Sequence, residues 1–98
     1  MPDEKTIKSI ARQVATANLG SVNIDDILSK DTIDSEGRDA LQITIVLTPG
    51  SSEKLEGTAF LDTMVGIHDR LQKEGEKRFP FVRYTDKDEL EERGAAQP

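Results

Sequence analysis

Residues 34–50 read DSEGRDALQITIVLTPG, and this stretch decides the fold class. Between residues 41 and 47, apolar side chains alternate with mostly polar ones. The members of the apolar face are Leu41, Ile43, Ile45 and Leu47. The other face carries Gln42 and Thr44, with Val46 as its only apolar member. A period of two with β-branched side chains predicts a strand whose sheet has one buried and one wet face.

The residues around this strand predict its neighbour and its end. Residues 34–39 form a Gly-containing connector whose length is typical of a hairpin, so the preceding strand is expected to be antiparallel. That strand is predicted near residues 27–33, after a bulge or a short irregular lead-in. Pro49 and Gly50 end the second strand, since proline donates no backbone hydrogen bond and glycine accepts a positive φ.

The first helix is predicted over residues 3–19. Apolar residues recur there at spacings of three and four, while charged and amide side chains take the other side. Asp3 can cap its N-terminus, and Gly20 stands where a residue with positive φ is favoured at the C-terminus. An amphipathic helix that packs on the sheet follows from this pattern.

The second helix is longer and follows the Pro-Gly turn. It is predicted to begin with Ser51 or Ser52 as its N-cap and to end at Gly75. One side of it is expected to be buried and contains Leu61, Met64, Val65, His68 and Leu71, widened by Phe60 and Ile67. Gly57 is predicted to mark the start of regular helix, because glycine costs about 1 kcal/mol there relative to alanine. Gly66 is expected to let the helix approach the sheet closely.

A third strand is predicted over residues 78–85, RFPFVRYT, which are aromatic and β-branched. Pro80 removes a backbone donor, so an edge position is favoured. Because a helix joins this strand to the second one, the two are expected to be parallel. A short polar helix is predicted from Asp86 to Arg93, and residues 94–98 are expected to be a flexible tail.

Together these elements predict an α+β fold in a single domain of residues 1–93. Two helices cover one face of a three-stranded mixed sheet, in the order α-β-β-α-β with a possible short C-terminal helix. The opposite sheet face is left for water or for a partner. The predicted interaction face consists of Gln42, Thr44, Val46, Phe81 and Tyr84.

Composition narrows the possible partners. The 98 residues include 13 lysines and arginines against 19 aspartates and glutamates, a formal net charge of −6. Nucleic-acid binding relies on clustered cations, so nucleic acid is not an expected partner.

No apolar stretch approaches a bilayer span, and the first residues lack a signal-peptide pattern. With no cysteine there are no disulfides or thiolate ligands, and a cytoplasmic protein that binds a protein partner or itself is predicted.

Two groups of residues suggest chemistry, and each also has a structural interpretation. The acidic residues around the hairpin could hold a hard cation and are Asp25, Asp26, Asp31, Asp34, Glu36 and Asp39. An EF-hand loop would need a glutamate where Ile43 stands, so turn formation is favoured. His68, the only histidine, has no second ligand or nucleophile at a recognised spacing, and neither Ser51 nor Ser52 lies in a G-x-S-x-G motif. No catalytic residue, metal site or cofactor is therefore predicted.

Cations and aromatic residues interleave near the end of the second helix. They are Lys73, Lys77, Arg78 and Arg83 with Phe79, Phe81 and Tyr84. Such a pattern could stack single-stranded bases, but lysines also favour a helix C-terminus and aromatic residues are needed for the core. Within it, residues 75–80, GEKRFP, form either a tight helix-to-strand connection or a recognition rim beside the open sheet face.

Two segments carry a resemblance to a known family. VNIDDIL at residues 22–28 and ITIVLTPGS at residues 43–51, followed by a long helix, resemble the small α-β-β-α-β domain of cytosolic iron-sulfur assembly factors. The resemblance covers residues 22–84 at the level of layout, and it implies this fold. In that family a cysteine follows the Pro-Gly turn, whereas this chain has Ser51, which lacks the thiolate that clusters use.

The leading hypothesis from the sequence is a non-enzymatic protein–protein interaction or accessory module. One alternative is an antitoxin-like inhibitor of a basic partner, whose acidic surface would speed association. Another is a small enzyme or cofactor carrier that uses His68 and the acidic connector.

Overall fold

The computed structural model describes residues 2–19 and 23–96. Its elements confirm the predicted order α-β-β-α-β with a short C-terminal helix. They are α1 (Glu4–Leu19), β1 (Ile24–Ile33), β2 (Asp39–Leu47), a 3₁₀ turn (Ser51–Lys54), α2 (Gly57–Lys73), β3 (Phe79–Asp86) and α3 (Lys87–Ala96). The helix α3 extends three residues beyond the expected end at Arg93, while Gly20 and Val22 lie outside the described residues.

The three strands form one mixed sheet in the order β1-β2-β3. β1 is antiparallel to β2, and β2 is parallel to β3, as the hairpin and the helical crossover predict. The expected bulge lies between Ile24 and Asp26, so β1 begins three residues earlier than predicted. In the hairpin turn, the Asp34 carboxylate accepts hydrogen bonds from the backbone amides of Glu36 and Arg38, and Gly37 has φ +82°. The acidic connector therefore makes turn contacts.

The core lies between one sheet face and the helices α1 and α2. Asp3 caps α1 as predicted, accepting from the Thr6 amide at 2.8 Å. The side chains that form the core cluster come mainly from α1 and β2 and are Ile7, Ile10, Ala11, Val14, Ala15, Leu19, Ile27, Leu41, Ile43, Ile45, Leu47, Ile67, Leu71 and Val82. The alternation in β2 thus correctly predicts the covered face.

The expected N-cap of α2 is wrong, although the role of Gly57 is confirmed. Thr48 to Ser51 form a tight turn in which the Ser51 amide donates to the Thr48 carbonyl at 3.0 Å and Gly50 has φ +80°. A 3₁₀ turn follows, and regular helix begins only at Gly57. The residue before it, Glu56, makes no side-chain cap.

The buried side of α2 agrees only in part with the predicted one, since Ile67 and Leu71 are buried as expected but Leu61 and Val65 are not. Thr63, Ile67 and Leu71 are its buried residues, whereas Leu61 and Val65 are 60% and 59% exposed. Thr63 can occupy the core because its hydroxyl donates to the Ala59 carbonyl at 2.8 Å, which satisfies the polar group within the helix. The helix α2 is therefore rotated so that the side with Thr63 faces the core, and Leu61 and Val65 face outward.

Gly66 allows a close approach, but to α1 and not to the sheet. A Cβ atom built on Gly66 would lie 2.7 Å from Cγ1 of Val14. No methyl group fits at that distance unless one of the two helices or the Val14 side chain moves. The contact therefore determines how closely α1 and α2 pack.

Candidate interaction surface

Four of the five residues predicted for the interaction face share the sheet face that is opposite α1 and α2. In the register of β2 and β3, Gln42 pairs with Phe81, Thr44 with Arg83, and Val46 with Thr85. Paired residues of adjacent strands point to the same side, so these side chains lie on what we call the open face. The structure thus brings together Gln42, Thr44, Val46 and Phe81.

Only part of the open face is accessible. Phe81 is 44% exposed and Gln42 is half-buried, but Thr44 and Val46 are only 6% and 1% exposed. Thr44 is a short side chain on the central strand, flanked in register by the longer Leu28 and Arg83. The expectation that Thr44 and Val46 meet water or a partner is therefore wrong.

Tyr84 belongs to the other side of the sheet, which corrects its assignment to the interaction face. It pairs with Ile45, and its ring packs on Phe60 of α2 with centroids 4.6 Å apart. Among the described residues its phenol oxygen has no hydrogen-bond partner, and the nearby Thr63 hydroxyl is donated to Ala59 instead. Burial raises the pKa of the Tyr84 phenol.

Tyr84→Phe is expected to leave the free energy of unfolding at pH 7 unchanged or to raise it by up to about 1 kcal/mol, because the lost hydroxyl makes no hydrogen bond. The raised pKa favours the neutral phenol in the folded state. The contribution of the neutral Tyr84 phenol to stability is therefore present below the unfolded pKa of 10.0, and it is lost as the pH rises through the folded pKa.

Urea unfolding of both proteins at pH 7 and in the alkaline range checks this prediction. Because the two proteins differ only at position 84, the difference in their free energies of unfolding reports the effect of the Tyr84 phenol. A variant that loses more than about 1 kcal/mol at pH 7 would show that the phenol does make a hydrogen bond in the folded protein.

Aromatic side chains continue from the open face around the edge of the sheet. The rings of Phe79 and Phe81 lie 5.0 Å apart, and the ring of His68 on α2 lies 5.4 Å from that of Phe79. Phe79 is 50% exposed. His68 is half-buried against β3, which confirms the interpretation that it is a packing residue at a helix–sheet contact.

Two clefts flank this aromatic group. One, of about 440 Å³, lies on the open face beside the hairpin and is lined by Thr32, Ile33, Asp34, Ser35, Gln42, Phe81, Val82 and Arg83. The other, of about 370 Å³, lies beside the end of α2 and is lined by His68, Gln72, Gly75, Glu76, Lys77, Arg78 and Phe79. Phe81 and Phe79 thus stand between two concave surfaces.

The connection at residues 75–80 is built around a buried ion pair. Gly75 has φ +89°, and hydrogen bonds from Gly75 to Gln72 and from Glu76 to Leu71 end α2 in a Schellman motif. The Glu76 carboxylate is fully buried and accepts two side-chain hydrogen bonds from Arg78 at 2.9 Å. These bonds hold the pKa of Glu76 below its usual value.

Arg78 also reaches across the sheet, where it donates to the Asp31 carboxylate on β1. Its side chain is 16% exposed. These contacts support the tight-connection interpretation of residues 75–80, and they leave this arginine engaged with two carboxylates. An arginine held in this way is poorly placed to bind a phosphate backbone.

The acidic residues predicted as possible ligands are spread along the sheet. Within residues 2–19 and 23–96, no three histidine, aspartate or glutamate side chains are grouped so that they could hold a metal ion. Asp25 pairs with Lys87 at 3.7 Å and Asp26 with Arg12 at 3.9 Å. Ser51 is buried, and its hydroxyl lies 2.6 Å from that of Thr48.

Of the helices that the structure describes, none combines the length and the apolar character that crossing a bilayer requires.

Comparison of the chain with protein-family models, with curated proteins and with solved structures gives no match. The resemblance to iron-sulfur assembly factors therefore stays an interpretation of layout. At the position of the family's cysteine, Ser51 forms part of the turn that links β2 to α2.

Proposed function

We propose that this protein is a non-enzymatic interaction module that binds a protein partner at the open face and the free edge of β3. The observation that carries the proposal is the pair Phe79 and Phe81, two exposed aromatic side chains in contact on an edge strand. Exposed aromatic residues are the commonest anchors of protein interfaces, and an unpaired edge offers main-chain hydrogen bonds to a partner strand.

The accessible part of the open face supports this choice of residues. Gln42 lies beside Phe81 in the register and lines the same 440 Å³ cleft, so it can supply polar contacts next to the aromatic anchor. Thr44 and Val46 lie on the same face but are buried, so they offer a partner almost no accessible surface. A cytoplasmic location is part of the same proposal, because a chain without cysteine needs no oxidising compartment for its fold.

The inhibitor of a basic partner is a weaker candidate. The carboxylates of Asp25, Asp26 and Asp31 on β1 already meet cations of the same chain. A basic partner would have to displace these contacts to use that edge. The enzymatic alternative is also weaker, because His68 packs on Phe79 and the Asp34 carboxylate accepts backbone hydrogen bonds within the hairpin turn.

A photo-crosslinking amino acid placed at position 81 tests the proposal, with the same group at the exposed position Thr16 on α1 as the matched control. After irradiation in cells, we expect a protein adduct from position 81 and none from position 16. Equal adducts at both positions, or none at either, would contradict an interaction site at the edge of β3. The mass of the adduct identifies whether the partner is this chain or another protein.

A further inference from the structure

The free edge of β3 has exposed apolar side chains on both of its sides. Among the described residues, β3 has β2 as its neighbour on one side and no strand on the other. Leu61 and Val65 of α2 are exposed on the helix side, and Phe79 and Phe81 are exposed at the edge and on the open face. Neither pair is buried within the chain.

These residues form one continuous surface. Leu61, Val65 and His68 are separated by four and three residues, so they lie along one side of α2. His68 contacts Phe79, and Phe79 contacts Phe81, with ring centroids 5.4 Å and 5.0 Å apart. We call these five residues, Leu61, Val65, His68, Phe79 and Phe81, the edge strip. It runs from the outer side of α2, around the edge of β3, to the open face.

We propose that the edge strip binds a second copy of this chain, with the two β3 strands antiparallel in a continuous six-stranded sheet. This inference rests on the proposed function and names its partner. A partner that covers the whole strip must bring a strand to the edge, a helix to the side of Leu61 and Val65, and apolar contacts to the open face. A second copy related by a two-fold axis supplies all three.

The sequence of β3 is complementary to itself in such a pairing. A two-fold axis perpendicular to the sheet keeps both open faces on the same side, so odd-numbered residues pair with odd-numbered residues. Phe79, Phe81 and Arg83 then face one another across the new contact. An arginine of one copy beside a phenylalanine of the other makes a favourable cation–π contact.

The edge strip itself carries no negative charge. Two copies that each carry a net charge of −6 repel one another unless their acidic surfaces stay apart. The five residues of the edge strip include no carboxylate, although Asp62 and Asp69 lie beside them on α2, whereas Asp25, Asp26 and Asp31 on β1 at the other edge meet Arg12, Arg78 and Lys87 of the same chain. When two β3 strands meet, the strips of the two copies therefore bring no carboxylate of their own into the contact.

The size of the strip also suits a pair of copies. Its exposed apolar area is on the order of 400 Å² per copy, within the range of about 300–600 Å² that the largest, often functional, patch of a monomer has. A stable interface buries roughly 800 Å² per partner. The backbone edge of β3 and the Arg83 side chain can supply much of the rest.

Sedimentation velocity of the purified full chain from micromolar to millimolar concentration tests the inference. We expect wild type to reach twice the mass of the chain. Val65→Lys on the helix side and Phe81→Lys on the open side should each raise the dimer dissociation constant by at least about tenfold. Leu28→Lys is the matched control, because Leu28 is a partly exposed apolar residue on β1 and should leave the dimer unchanged.

Wild type that stays monomeric at millimolar concentration would overturn the second copy as the partner. If position 81 then crosslinks to another protein in cells, the proposed function survives and only its partner changes. An effect of Phe81→Lys without an effect of Val65→Lys would overturn the edge-to-edge arrangement. Equal weakening by Leu28→Lys would do the same. Circular dichroism of each variant establishes that it is folded.

Discussion

Arg78→Met is expected to lower the free energy of unfolding by about 2–3 kcal/mol, because it removes two charge-assisted hydrogen bonds from the buried Glu76 carboxylate and leaves it only the backbone amide of residue 78. Such a loss is a large fraction of the 5–15 kcal/mol that stabilises an ordinary domain, so the variant should unfold at much lower urea concentration. Without Arg78, burial raises the pKa of Glu76. The loss should therefore shrink as the pH falls and the carboxylate becomes neutral.

The chain contains its own control for this experiment. Glu36 and Arg38 form an ion pair with the same two-residue spacing, but their side chains are 63% and 75% exposed. Arg38→Met should therefore cost less than about 1 kcal/mol. The double variant Glu76→Gln/Arg78→Met should recover most of the loss, because the buried charge is removed together with its partner. Equal losses for the two single variants would contradict the role of burial.

These two pairs show why part of the structure escapes the sequence. Both read Glu-x-Arg, and nothing local distinguishes the buried pair from the exposed one. The difference comes from the Schellman motif, which turns Glu76 inward, and from Asp31, which is 47 residues away from Arg78. Burial that depends on distant elements has no signal in a short window.

The sheet was easier to predict because its signals are local. The alternation in β2 identifies the covered face of the sheet. The hairpin connector predicts that β1 lies beside β2, and Pro80 predicts that β3 is an edge strand. The position of Tyr84 on the covered face also follows from the sequence, since Phe81 and Tyr84 are three residues apart and must point to opposite faces of a regular strand. The burial of Thr44 cannot be predicted from the local sequence, because it depends on side chains of both neighbouring strands.

The buried side of α2 was harder to predict for a similar reason. An apolar stripe through Leu61 and Val65 and one through Phe60 and Ile67 both have helical spacing, so periodicity alone does not choose between them. Thr63 satisfies its own hydroxyl and can lie in the core, and Gly66 meets Val14 of α1. The packing of α1 against α2 therefore decides the rotation of α2, and with it the exposure of half of the edge strip.

Gly66→Ala tests that packing and is expected to lower the free energy of unfolding by up to about 2 kcal/mol. The new methyl group would lie 2.7 Å from Cγ1 of Val14, a β-branched side chain with little rotamer freedom in a helix. Overpacking of this kind costs about 1–3 kcal/mol, and the gain in helix propensity of about 1 kcal/mol offsets only part of it. Urea unfolding measures the balance.

A double-mutant cycle with Val14→Ala separates the clash from other effects. Val14→Ala alone removes buried methyl groups and destabilises the protein, but it also opens the space that a methyl group at position 66 would need. The double variant should therefore be more stable than the sum of the single effects by at least about 1 kcal/mol. Gly57→Ala is the matched control, since a Cβ there meets no atom within 4 Å and should not destabilise. Strict additivity at positions 14 and 66 would mean that Gly66 does not set the distance between the helices.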